Sequence, residues 1–158
     1  MTSNKEAAEF IERMGLAAEA EGMPRIAARL FAFMLIDGGP RTADEIADQL
    51  QVSRGSVSTN TRLLERRGVI ERFTRPGERQ HYFRLTDDPL GRKFEQLPQH
   101  VRRWQAIVID ARQALPDEMS GAKDRLAEVE DFCEFALEIA ESNLRAWRER
   151  RKNKTGAE

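Results

Sequence analysis

Between residues 42 and 86 the chain places two helix-start signals, a helix-stop glycine and a Pro-Gly turn in close succession. Few folds accept that order. Thr42-Ala43-Asp44-Glu45 is a capping box, in which a threonine N-cap and a glutamate three residues on satisfy each other's backbone N–H groups. It opens a short helix reaching about Gln51, with Ile46, Ala47 and Leu50 inward. Ser53 is the cap of a second helix, from about Arg54 to Arg67, with Val57, Thr61 and Leu64 inward and Gly68 as its stop. Val69–Thr74 and Gln80–Leu85 then alternate as strands around Arg75-Pro76-Gly77-Glu78-Arg79, with Pro-Gly at a hairpin tip. Two short helices joined by a tight turn, followed by a basic hairpin, read as a winged helix-turn-helix.

The flanks are helical. Residues 4–21 carry Phe10, Ile11, Met14, Ala17 and Ala18 at helical spacing, and Gly22-Met23-Pro24 breaks the pattern. Pro24 suits the first position of the next helix, where its missing N–H costs nothing. That helix is apolar on more than one face (Ile26, Ala27, Leu30, Phe31, Met34, Leu35), so it is expected in the centre of the core. Leu90, Phe94, Leu97, Val101, Trp104, Val108, Ala111 and Leu115 form a heptad-like seam, with a kink expected at Pro98. Leu126, Val129, Cys133, Ala136 and Ala140 form a second seam beyond the break at Leu115-Pro116. Two long helices and an N-terminal one carry more apolar surface than so small a head can cover, so a homodimer is expected.

The expected fold is therefore mainly α: a winged helix-turn-helix with a two-stranded β wing, plus long N- and C-terminal helices forming a dimerisation region. The boundaries are 1–23 for the N-terminal helix, 24–87 for the winged helix-turn-helix and 88–158 for the C-terminal helical region, which ends in a frayed basic tail over 150–158.

Charge distribution points to a ligand class. The chain has 158 residues and a formal net charge of -1. From Gln51 to Leu85, however, eight arginines face three glutamates, a local net of +5 without a lysine. Residues 117–141 hold nine acids against Lys123 and Arg125, a local net of -7. A basic centre is the electrostatic footprint of phosphate binding. On the second helix of the motif, the face opposite Val57, Thr61 and Leu64 offers Arg54, Ser56, Ser58, Thr59, Asn60 and Arg62. Arginine can fork onto guanine, asparagine onto adenine, and serine or threonine onto bases or phosphates. Arg75 and Arg79 flank the wing tip and can straddle a phosphate or enter a minor groove, with Glu78 between them paired to an arginine. Gln80 and His81 stand at the hairpin base. Arg66 and Arg67 either touch DNA backbone or sit as cations at the negative end of the helix.

Other classes find less support. His81 and His100 have no partner at metal-ligand spacing, Cys133 is the lone cysteine, and no glycine-rich phosphate loop occurs, so neither an enzyme, a metal nor a cofactor is expected. No apolar run approaches a membrane span and the N-terminus lacks a secretory pattern, so a cytoplasmic protein is expected. Cys133 lies among acids and reads as a core thiol. An alternative is a winged-helix protein-interaction module that never binds DNA, docking a basic partner on its acidic helix.

The order of elements, with Phe10-Ile11-Glu12-Arg13-Met14-Gly15, Gly22-Met23-Pro24-Arg25-Ile26-Ala27 and Val52-Ser53-Arg54-Gly55-Ser56-Val57-Ser58, resembles the MarR family of bacterial transcription regulators, in its GbsR-like branch. The resemblance implies a homodimeric, often ligand-responsive regulator of double-stranded DNA, with a small-molecule pocket between the DNA head and the helical base. Resemblance to that branch implies choline-like cations as ligands, and Trp104, Phe132 and Phe135 are the candidate cage, against a plainer reading as core residues of the seam.

Overall fold

The computed structural model describes residues 5–155 and divides into two compact units, Met1–Pro89 and Leu90–Glu158. The first unit contains α1 (Lys5–Ala20), α2 (Arg25–Asp37), β1 (Arg41–Thr42), α3 (Ala43–Leu50), α4 (Arg54–Arg66), β2 (Ile70–Thr74) and β3 (His81–Leu85). The first residue of the expected 4–21 helix lies outside the described residues.

α2 is the centre of the core. Ala27, Ala28, Leu30, Ala32, Phe33 and Met34 are all buried, which takes in more than one face of the helix. Around it pack Ile46, Ala47 and Leu50 from α3, Val57 and Leu64 from α4, and Val69, Ile70 and Phe83 from the sheet region. Pro24 precedes α2 as its N-cap with extended backbone, one position earlier than expected. α1 lies against α2 at Gly15, where an added Cβ would come within 2.7 Å of the Arg29 side chain. Arg29 also pairs with Glu12 of α1 at 2.7 Å and donates to the Leu50 carbonyl at 2.9 Å, tying α1 to the end of α3.

The capping box forms as read: Glu45 N–H donates to Thr42 Oγ1, and Thr42 N–H donates to Glu45 Oε2 at 2.7 Å. Ser53 Oγ accepts from Ser56 N–H at 3.1 Å and caps α4. Gly68 ends α4 with φ +66°, and the N–H groups of Gly68 and Val69 return to the Glu65 and Leu64 carbonyls. The sheet has three strands in the order β1-β3-β2, so the expected two-stranded wing gains a partner. Arg41 and Thr42 pair antiparallel with Phe83 and Tyr82, fastening the base of the wing to the start of α3.

The second unit contains α5 (Pro89–Ala114), a short 3-10 turn (Asp117–Met119) and α6 (Ser120–Thr155). α5 runs as one helix through Pro98. α6 stays helical to Thr155, so most of the expected frayed tail is ordered helix, and residues 156–158 lie outside the description. Ion pairs join the two helices, among them Arg112–Glu130 at 2.8 Å, Arg102–Glu141, and Arg148–Glu95 at 2.7 Å. Partner numbers rise along one helix as they fall along the other, which is the signature of an antiparallel hairpin. Cys133 and Ala140 are buried. Trp104, Phe132 and Phe135, however, are 72 %, 66 % and 58 % exposed. Within a single chain, then, the hairpin covers the small side chains of α6 and leaves these three aromatics outside.

Candidate nucleic-acid interface

α4 presents two contrasting sides because its inward residues recur at helical spacing. Val57, Thr61 and Leu64 are buried, and Thr61 Oγ1 donates to the Val57 carbonyl at 2.9 Å, so its hydroxyl is satisfied within the helix. Asn60 joins this side. It is 7 % exposed, and its Nδ2 donates to the Ser56 carbonyl at 2.8 Å. Asn60 therefore does not belong to the open polar face where the helical wheel had put it, and its amide is spent on backbone. Positions three and four beyond Val57 both turn inward, and only packing reveals that the polar one does so too.

The open face is left to Arg54, Gly55, Thr59 and Arg62, all exposed, with Ser56 and Ser58 half-buried. Ser56 is occupied in part by the cap, accepting from the Ser53 hydroxyl at 3.0 Å. Arg54 Nε lies 2.8 Å from Asp44 Oδ1 in the first turn of α3, a partner that no spacing rule marks. An exposed pair of this kind contributes little to stability. It leaves Arg54 tethered yet free to exchange its carboxylate for another anion.

Between α4 and the hairpin lies a groove of about 280 Å³, bordered by Asp44, Ser58, Arg62, Glu65, Arg72, Gln80 and His81. Arg72 Nε faces Glu65 Oε1 at 3.5 Å. Among the described residues neither Arg62 nor Arg79 forms an ion pair. Gln80 and His81, placed at the hairpin base by sequence, share the groove with Arg62.

The hairpin tip is a type II turn, with Pro76 at its second position, Gly77 at φ +80° and the Glu78 N–H bonded to the Arg75 carbonyl at 3.0 Å. Strand alternation sends Phe83 into the core and Tyr82 outward. Tyr82 stacks on its cross-strand partner Phe73, with ring centroids 5.9 Å apart. The Arg75 guanidinium lies 4.1 Å from the Tyr82 ring centroid, and that of Arg84 lies 4.9 Å from the Phe73 centroid. The Tyr82 hydroxyl donates to Glu78 at 2.5 Å, and this bond to a carboxylate raises the phenol above its usual range. Glu78 is thus engaged by a tyrosine and not by an arginine, contrary to expectation. Among the described residues no group of three or more His, Cys, Asp or Glu is placed to hold a metal ion, and no helix is long and apolar enough to cross a membrane.

Residues 21–80, which span α2 to the wing tip, match the model of the MarR family. The chain is 29% identical over 143 residues to the HTH-type transcriptional regulator MmpR5 of Mycobacterium tuberculosis, covering 90% of this chain and 87% of that regulator. It also superposes on the crystal structure of a transcriptional regulator with a TM-score of 0.82 and 28% identity, over 91% of this chain and 99% of the other.

Proposed function

We propose that this winged-helix, DNA-binding transcriptional regulator is a member of the MarR family and acts in the cytoplasm as a homodimer that lays α4 of each protomer in a major groove and its arginine wing on the neighbouring backbone or minor groove. The observation that carries the reading is the open face of α4, where Arg62 and Thr59 stand clear of the core beside a hairpin that ends in Arg75 and Arg79. Arg54, Ser56, Ser58, Thr59 and Arg62 are the base- and phosphate-contacting set, Arg75, Arg79 and Gln80 act from the wing, and Asn60 serves the helix itself. The start of α4 adds its own free N–H groups and partial positive charge, and Gly55 there leaves room for a phosphate to come close.

Dimerisation is assigned to the helices that flank the winged domain. Among the described residues, ten of the fourteen exposed large hydrophobic side chains belong to the second unit, and apolar surface of that extent is costly to leave in water, which supports a partner. The GbsR-like branch, and with it a small-molecule effector, is proposed on the three sequence segments that resemble it.

The test is selection of bound fragments from a genomic pool, followed by titration of the enriched site with salt varied. A two-fold-symmetric site with half-sites about 10 base pairs apart is expected. Arg62→Ala should cost about 1–3 kcal/mol and relax choice at one base position, whereas Arg79→Ala should weaken binding on all sequences and lower the salt slope by about one per wing. Equal losses on every sequence for both variants would overturn the assigned roles.

A further inference from the structure

Tyr82 touches both ends of the wing turn. Its ring lies under the Arg75 guanidinium at 4.1 Å, and its hydroxyl donates to the Glu78 carboxylate at 2.5 Å. Arg75 and Glu78 are the first and last residues of that turn. Glu78 is the one acid between Arg75 and Arg79 in sequence. Left alone at the tip, its carboxylate would be drawn to one of those arginines by simple Coulomb attraction. Such a pair would cancel a positive charge that phosphates need, and would set a negative charge against them. The hydroxyl prevents this by giving the carboxylate a partner on the strand, and the ring gives Arg75 a seat that leaves its charge intact. The bond lies at the exposed tip, away from the core, so its effect is to be sought in binding.

We infer that Tyr82 is a positioning residue for DNA binding: its hydroxyl holds Glu78 away from the wing arginines and its ring seats Arg75, so that neither Arg75 nor Arg79 is paired to that carboxylate when the tip meets phosphate. This rests on the proposed docking of the wing on DNA. The experiment uses the full chain and its selected site, with affinities read by fluorescence anisotropy across a salt series, for Tyr82→Phe, Glu78→Gln, the double variant and Arg79→Ala. Tyr82→Phe keeps the ring and removes only the hydroxyl.

The expected result is a loss of about fivefold or more in affinity for Tyr82→Phe near 0.1 M salt, with a shallower salt slope, which is the weight of one phosphate contact. Glu78→Gln should bind at least as tightly as the native chain, and Tyr82→Phe should lose nothing further in that background. The coupling between the two sites isolates the carboxylate as the cause, and a purely structural role for Tyr82 would not be rescued by removing a charge. The same loss in both backgrounds, or no loss in the native one, overturns the inference. Arg79→Ala separates the two levels: if it weakens binding while Tyr82→Phe does not, only the inference fails, and if it too changes nothing, the docking of the wing fails and the inference with it.

Discussion

Thr42 belongs to three structures at once: it ends β1, caps α3 and pairs with Tyr82 of the wing. Its hydroxyl accepts the Glu45 N–H while its own N–H is taken by the Glu45 carboxylate. Thr42→Ala removes one of these bonds and should lower stability by about 1 kcal/mol, read as a fall in the urea midpoint with an unchanged slope. The other bond is sensitive to acid. The backbone N–H of Thr42, more than the hydroxyl, holds the Glu45 carboxyl below the usual glutamate range. A carboxyl depressed on folding adds stability that is fully present above its unfolded titration range and is lost as pH falls through the lower folded value. Glu45→Gln can still accept the bond but has no charge to titrate. Its stability curve should therefore be flatter than the native one between pH about 6 and about 3. Parallel curves would place the acid sensitivity of this region elsewhere.

Helix ends explain why so much of the winged domain could be read in advance. Caps and stops are local: Thr42 with Glu45, Ser53 with Ser56, and Gly68 each act within one turn of chain. Gly68 is the sharpest of them, since its φ of +66° disfavours any side chain. Gly68→Ala should cost about 1–2 kcal/mol and, by disturbing the step from α4 into β2, weaken the wing before the core, seen as early loss of amide protection in residues 70–85. Other features needed distant information. β1 is only two residues long, and it exists because Phe83 and Tyr82 arrive beside it from far along the chain. The left-handed turn after α3 is held by Gln51, so no glycine marked it. Within the candidate interface the arginines and serines were legible from charge and helical spacing. The inward turn of Asn60, the Asp44–Arg54 pair and the Glu78–Tyr82 bond were not, because each depends on which neighbour packing brings within reach.

Association of chains is where sequence and a single protomer complete each other. Heptad-like spacing in the last seventy or so residues said that apolar seams exist, but periodicity does not say whether a seam closes within one chain or between two. In the protomer, α5 and α6 meet through ion pairs and small buried residues such as Cys133 and Ala140, while Trp104 and Ile107, one helical turn apart, are 72 % and 67 % exposed. Burying such aromatic and aliphatic surface contributes about 25 cal/mol per Å², and the second copy proposed above would also give a regulator two equivalent reading heads. Light scattering at micromolar concentration should accordingly return twice the chain mass. Trp104→Glu together with Ile107→Glu sets like charges on that surface and should shift the chain toward the monomer while each winged domain remains folded. A monomer has one half-site to hold, and joining two binding modules raises affinity by roughly 10²–10⁴. The double variant should thus lose about a hundredfold or more on the two-fold operator, yet match the native chain on an isolated half-site. A native chain that scatters as a monomer while still holding the full operator tightly would sink the dimeric reading, and would require a single winged domain to supply all of the affinity.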